Sequence, residues 1–349
     1  MSDDGKLEVA NVSLTDKQNP EFFVQPRYWV RTRDVLARIA DVPKSVAAAY
    51  AAMDDDFLRQ TLANWVDSGR EHNKVFESSD DALREVMAIA GIHFADLHKL
   101  KDWRLPKIQN EARLHSPLNH DELALLRGCR DLWEAMDILM DRRSPKWLMG
   151  WRRNARSNDE RSTIASILCR SGVGDSIFLI SPSCSPEKNT ALLAMLNSLV
   201  FDFMARQKVG GVNYSFYYMK QLPVLKPEQL DDTELSFIVP RATELIFTSS
   251  GLNTWAEGVG YTGSPFPFDP ARRVQLRAEL DAYFAMLYGL DRDELRYILE
   301  PADVMGPNYP SETFRVLKHN EEREFGEYRT RRLVLAAWDA LAEKGFRPG

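Results

Sequence analysis

Cysteine is scarce in this chain, and long apolar runs are absent. Cys129, Cys169 and Cys184, among 349 residues, are too few and too scattered for a disulfide framework or a zinc site. No stretch approaches the roughly 20 consecutive apolar residues of a membrane-spanning helix. The N-terminal MSDDGKLEVANVSLTDKQNPEF contains no basic segment leading into an apolar one, so no secretory leader is expected and the cytoplasm is the expected compartment. Several chemistries also lack their signatures. No Asn/Asp/Ser-Pro-Pro-aromatic tetrapeptide is present to hold a flipped amino base. No Gly-x-x-x-x-Gly-Lys-Ser/Thr loop is present to cradle phosphates, and Gly172-Val173-Gly174 and Gly258-Val259-Gly260 read as turns. The acid-x-Lys pattern of metal-dependent nucleases occurs only as Asp4-Gly5-Lys6, in a segment without helical periodicity. His93 and His98, five apart on an expected helix, point in different directions, and no ligand set surrounds them. No Ser or Cys nucleophile can be placed beside a His. A self-sufficient active site cannot be assembled from these residues, and neither a metal nor a cofactor is expected in this chain.

What is present is a soluble-type composition with an uneven charge. Hydrophobic residues make up 44% and charged residues 28%, ordinary values for globular domains, and the length leaves room for two or three of them. The net charge of −6 argues against a polyanionic partner until it is mapped. Residues 141–230 hold 13 Lys and Arg against 7 Asp and Glu, so the remainder is strongly acidic. A locally basic middle in an acidic chain is the pattern of a focused phosphate-binding face, and also of an ordinary solvated surface.

Periodicity divides the chain into four segments. Residues 1–26 form an extended lead-in. Residues 27–145 form a helical lobe, with helical patterns in DVLARIADV, SVAAAYAAM, DFLRQTLANWV, DALREVMAIAGIHFADLHKL and DELALLRGCRDLWEAMDILM. Asp80 and Asn119 are candidate N-caps. Residues 146–230 form a small mixed-sheet core. In it RSTIASIL and SIFLIS, separated by a Gly-rich turn, are expected as a buried hairpin or sheet edge. The helix NTALLAMLNSLVFDFMARQK and a polar-aromatic strand, VNYSFYYMKQLPVLKP, follow. Residues 231–349 form a helical C-terminal cap, with a helix from Pro270 to Gly289, a capping box at Asp291 and Glu294, and an amphipathic last helix, GEYRTRRLVLAAWDAL. The fold class expected is α+β.

Two stretches carry polar chemistry. In KWLMGWRRNARSNDERSTIASI, Arg152, Arg153, Arg156 and Arg161 alternate with Asn154, Ser157 and Asn158. Arginine forks suit phosphates or the guanine edge, and asparagine suits adenine; pairing with Asp159 and Glu160 in a turn is the competing reading. In MARQKVGGVNYSFYYMKQLPVLKP, Arg206 and Lys208 point a basic helix end at Gly210-Gly211. As a strand, the next residues put Tyr214, Phe216 and Tyr218 on one face and Ser215, Tyr217 and Met219 on the other.

In order, PRYWV at 26–30, WLMGWRRNARSNDERSTIASIL, LLAMLNSLVFDFMARQKVGGVNYSFYYMKQLPV, LRAELDAYFAMLYGLDRDELRYIL and FGEYRTRRLVLAAWDAL resemble one family. It is the C-terminal, target-recognition half of adenine-specific DNA methyltransferases of the type IIG restriction–modification and phage-defence-island kind. The Gly-Gly-x-Asn strand with its Leu-Pro segment is more distantly similar to type I restriction specificity subunits. The resemblance covers residues 20–340, and 204–225 is its most specific block. It implies a module that grips double-stranded DNA and selects its sequence. S-adenosylmethionine and adenine flipping would then belong to a separate methyltransferase or restriction subunit, because the catalytic half is missing here; the segment between Val30 and Pro145 is longer and more helical than the family pattern. Expected phosphate contacts are Arg152, Arg153, Arg156, Lys208 and Lys220; expected base-edge or positioning contacts are Asn158, Arg161, Asn213 and Tyr214. A protein–protein module of a defence complex, or an inactive remnant of a split methyltransferase gene, are the alternatives.

Overall fold

Side-chain caps start several of the helices of this protein. The computed structural model describes residues 12–22, 30–72, 115–116, 118–126, 128–156, 159–310 and 313–346. The helix expected over 81–100, with Asp80, His93 and His98, lies outside the described residues, as do PRYW at 26–29 and Asn158. The fold is α+β, and the chain divides into two compact units: Pro26–Pro145, and Met1–Gln25 with Lys146–Gly349.

A short helix α1 (Leu14–Gln18) opens the described chain. The first of the two units is helical among its described residues: α2 (Thr32–Ile39), α3 (Lys44–Ala52), α4 (Asp55–His72), α5 (His120–Leu126) and α6 (Leu132–Arg142). The single periodic pattern read across 121–140 is cut in two, because the Asp131 carboxylate accepts from the N–H groups of Trp133 and Glu134 and starts α6 afresh. Asn119 and Glu122 form a reciprocal capping box, each backbone N–H donating to the other's side chain at 2.9 Å. Leu36, Tyr50, Leu58, Trp65, Leu123 and Met136 are among the residues filling the core. The buried Arg143–Glu122 pair, at 2.7 Å on both guanidinium arms, ties α6 to α5.

The second unit is built around strand β1 (Trp147–Arg152), flanked by β2 (Ala165–Cys169) and β3 (Ile177–Ile180). Both pairings are antiparallel and the order is β2-β1-β3, so the sheet is antiparallel throughout and not mixed. Of the two expectations for RSTIASIL and SIFLIS, the hairpin does not form; β2 and β3 are instead the two edges of the sheet, with β1 between them. The reason is hydrophobicity: Leu148, Met149, Gly150 and Trp151 are all buried, and such a strand takes the centre, covered on both faces.

The helices expected after the sheet are found with their caps. The run over 189–208 is two helices, α7 (Pro186–Leu196) and α8 (Leu199–Arg206), because Ser198 caps the second. The Tyr-rich strand is corrected to a single β-bridge at Asn213 followed by a short helix, α9 (Phe216–Met219). Then come α10 (Asp232–Ile246), α11 (Asn253–Gly258), α12 (Pro270–Leu287), α13 (Arg292–Leu299), α14 (Ala302–Met305), α15 (Arg315–Phe325) and α16 (Arg329–Glu343). The Asp291–Glu294 capping box is present. One cluster joins α7, α8, α10, α12, α13 and α16 through Ala191, Leu199, Ile238, Phe284, Leu295 and Trp338. Another joins the sheet to α8 and α11 through Trp151, Ile167, Phe201, Tyr214 and Trp255. Leu192, Met204 and Ile246 pack against both, so the sheet core and the C-terminal helices share one interior.

Gly150 is where the sheet tolerates no side chain: a Cβ there would stand 2.5 Å from the Phe178 carbonyl oxygen on β3. Gly150→Ala is therefore expected to cost about 3 kcal/mol, as overpacking against backbone does. Gly174→Ala, with open space around its Cβ, is expected to be silent. Urea denaturation of the two variants checks both.

Candidate functional site

The two polar stretches, some 60 residues apart in sequence, are brought together by backbone pairing. Asn154 and Asn213 form an antiparallel bridge. The Ala155 N–H donates to the Val212 carbonyl at 3.2 Å and the Tyr214 N–H to the Arg153 carbonyl at 2.7 Å. A side-chain bond locks the same place, Arg153 Nε donating to Asn213 Oδ1 at 2.7 Å. Beneath it the Trp151 indole donates to the Tyr214 carbonyl at 2.9 Å, and Phe216 packs edge-on against Trp151.

The expected contact residues divide sharply by where this arrangement puts them. Arg156, Lys208, Asn213 and Lys220 are exposed, and Arg153 is partly so. Arg153 pairs with the open carboxylate of Asp175 at 2.5 Å, and Arg156 has no side-chain partner among the described residues. Arg152 takes the turn reading instead, with Nη2 on Asp159 at 3.3 Å and on the Arg161 carbonyl at 3.4 Å.

Two assignments are corrected. Tyr214 is fully buried, within 3.4 Å of the Thr163 hydroxyl; burial pushes its phenol above the ordinary range, and it cannot meet a surface ligand in this structure. Arg161 turns inward to Asp202, Nε to Oδ2 at 3.3 Å. Arg206, read as part of a basic helix end, is also buried. The residue missed by the sequence reading is Tyr217, 71% exposed. A strand makes Tyr217 one of an alternating set, whereas the turn into a helix after Ser215 leaves it outward.

Asp202 is the node that holds the arginine stretch in place. It is fully buried on α8 and accepts from the Ser162 N–H at 3.0 Å and the Thr163 N–H at 2.7 Å. Arg206, one helical turn on, lies 3.3 Å from it and reaches the carbonyls of Asp159 at 2.7 Å, Glu160 at 2.8 Å and Thr313 at 2.6 Å. Burial lowers the Arg206 guanidinium and Asp202 opposes that shift. Nearby, Asp281 accepts from the Leu199 N–H at 2.7 Å, at the start of α8. Desolvation pushes its carboxyl up to about 6, against the attraction of Arg161 and Arg277.

The paired backbone carries the Arg153 guanidinium and the Asn213 amide, and Arg156, Lys208, Tyr217 and Lys220 are exposed in the segments that adjoin it in sequence; guanidinium and ammonium groups of this kind can hold anions. Among the described residues no group of three acids, histidines or cysteines could hold a metal ion. No helix among them is long and apolar enough to cross a membrane. Comparison with family models, curated proteins and solved structures finds no match to this chain.

Two stability measurements test the interior. Asp202→Ala leaves Arg161 and Arg206 without their buried counter-charge and is expected to cost about 3–5 kcal/mol, read by urea denaturation. Asp281 is raised in the folded state from 3.8 to about 6, so its ionisation costs the fold as pH rises through that window. Asp281→Asn removes the cost: the variant is expected to match the wild type below pH 4 and to exceed it by about 3 kcal/mol above pH 6. Thermal denaturation across pH 4–8 reads the difference.

Proposed function

We propose that this chain is a DNA target-recognition module that acts in the cytoplasm beside a separate adenine-N6 DNA methyltransferase or restriction subunit. S-adenosylmethionine belongs to that partner. The observation that carries the reading is the bridge between residues 153–155 and 212–214. It joins the two stretches on which the resemblance to methyltransferase recognition halves most depends, and sets their polar side chains on one piece of fixed backbone. Arg153, Arg156, Lys208 and Lys220 supply the phosphate contacts, which give affinity and register but no sequence information. Asn213 and Tyr217 are the groups available for base edges and stacking. Releasing Arg153 from Asp175 is cheap, because an exposed pair of this kind contributes about 0.2–1 kcal/mol.

The second reading, a protein-docking module, is favoured by one feature of the same loop: Val212 and Phe216 are exposed beside Tyr217. Ionic-strength dependence separates the two. Duplex DNA binding followed by fluorescence anisotropy is expected to weaken as salt rises, with a slope of roughly −0.9 in log K against log salt for each neutralised phosphate. Arg153→Ala with Arg156→Ala is expected to lower affinity at low salt and flatten that slope by about 2. Absence of duplex binding at low salt, or a slope unchanged in the double variant, overturns the DNA reading.

A further inference from the structure

A second basic site lies in the interior of the larger unit. A cavity of about 470 Å³ opens between β2 and the helices α7, α10 and α12, within the roughly 300–1,000 Å³ that encloses small ligands. Arg161, Arg273 and Arg277 are among the residues that line it, with Ala242, Leu245 and Leu280.

The arginines are crowded and only partly used. Arg273 donates one arm to the Leu245 carbonyl at 2.7 Å and rests on the Phe268 ring, while its Nε is buried with no hydrogen-bond partner. Arg277 makes no hydrogen bond or ion pair among the described residues, and its electrostatic neighbours are Arg161 and Asp281. Burial lowers both Arg273, to about 10, and Arg277, and repulsion between the cations adds to the shift. Asp281 is the acid on the cavity wall, and its Oδ1 is already engaged by the Leu199 N–H. A separate hollow of about 290 Å³ also touches Arg161, Arg277 and Asp281, but Glu160, Glu321 and Glu324 line it, so the anion-favouring side is the larger cavity. Confined cations with unused forked donors are costly alone and are relieved by a dianion that accepts several N–H groups at once.

We propose that this cavity binds a phosphate monoester of mononucleotide size, with the phosphate on Arg273 and Arg277 and the ring system against the apolar wall. The inference does not rest on the DNA reading. The exposed contact residues above do not line this cavity; Arg161, the one shared position, is turned inward.

Calorimetric titration of the whole chain with adenosine 5′-monophosphate, inorganic phosphate and adenosine tests it. The monophosphate is expected to bind, inorganic phosphate to bind more weakly, and adenosine not to bind at millimolar concentration. Arg277→Gln is expected to lower monophosphate affinity at least about tenfold, the loss of a charge-assisted hydrogen bond. Its unliganded melting temperature is expected to change little, because the desolvation cost of Arg277 and its repulsion from Arg161 are lost together with its attraction to Asp281. Arg273→Gln gives a second, independent loss of affinity, and Arg156→Gln, outside the cavity, leaves the affinity as it was. No monophosphate binding by the wild type, or wild-type affinity in both cavity variants, overturns the proposal.

Discussion

The buried carboxylate of Asp202 organises the larger unit. A charge taken out of water is tolerable only where fixed donors and counter-charges replace its hydration: here the N–H groups of Ser162 and Thr163 and the Arg206 guanidinium donate to it, and Arg161 stands beside it as an ion-pair partner. Because those donors belong to the chain entering β2 and to the end of α8, satisfying one carboxylate fixes the path of residues 159–163. Arg206 extends the same constraint to the carbonyls of Asp159, Glu160 and Thr313. The arginine-rich segment is thereby held at both ends, by β1 on one side and by this network on the other.

That clamp also sorts the arginines. Arg161 and Arg206 are drawn inward as counter-charges and Arg152 is turned onto Asp159. Arg153 remains on the bridge with the 212–214 segment, and Arg156, the residue after the bridged 153–155, stays exposed. Positive charge in this unit thus has two destinations, exposed side chains on the outer surface and an inner cavity lined by Arg161, Arg273 and Arg277. The difference between them is solvent. The outer charges are hydrated and screened by salt. The inner ones are desolvated: burial holds Arg273 and Arg277 below their ordinary range, with repulsion from Arg277 adding to the first shift and repulsion from Arg161 to the second.

Local signals carried most of the helical architecture. Caps and breakers are short-range devices, so Asp291 with Glu294, the N-cap at Asn119 and the helix ended near Gly289 were legible from spacing. Where such a device sat inside an apolar run it was missed: Ser198 and Asp131 each split what the pattern joined. The sheet was less legible. RSTIASIL and SIFLIS were recognisable as strands, but their true partner is WLMGWR, whose continuous apolar character marks a central strand without naming its neighbours.

The sequence by itself determined the α+β class, the position of most helices and the two polar stretches that meet at the Asn154–Asn213 bridge, because periodicity, capping and composition act over a few residues. Only the tertiary structure decided which of those residues face out. Tyr214 and Tyr217 are alike in sequence, yet one is fully buried under the sheet and the other is solvent-facing, because the chain turns from a bridge into a helix between them. Arg156 and Arg161 are likewise alike until Asp202, some forty residues on, takes one of them as its counter-charge. Exposure and pairing are sums over contacts distant in the chain, and no local pattern of residues encodes them.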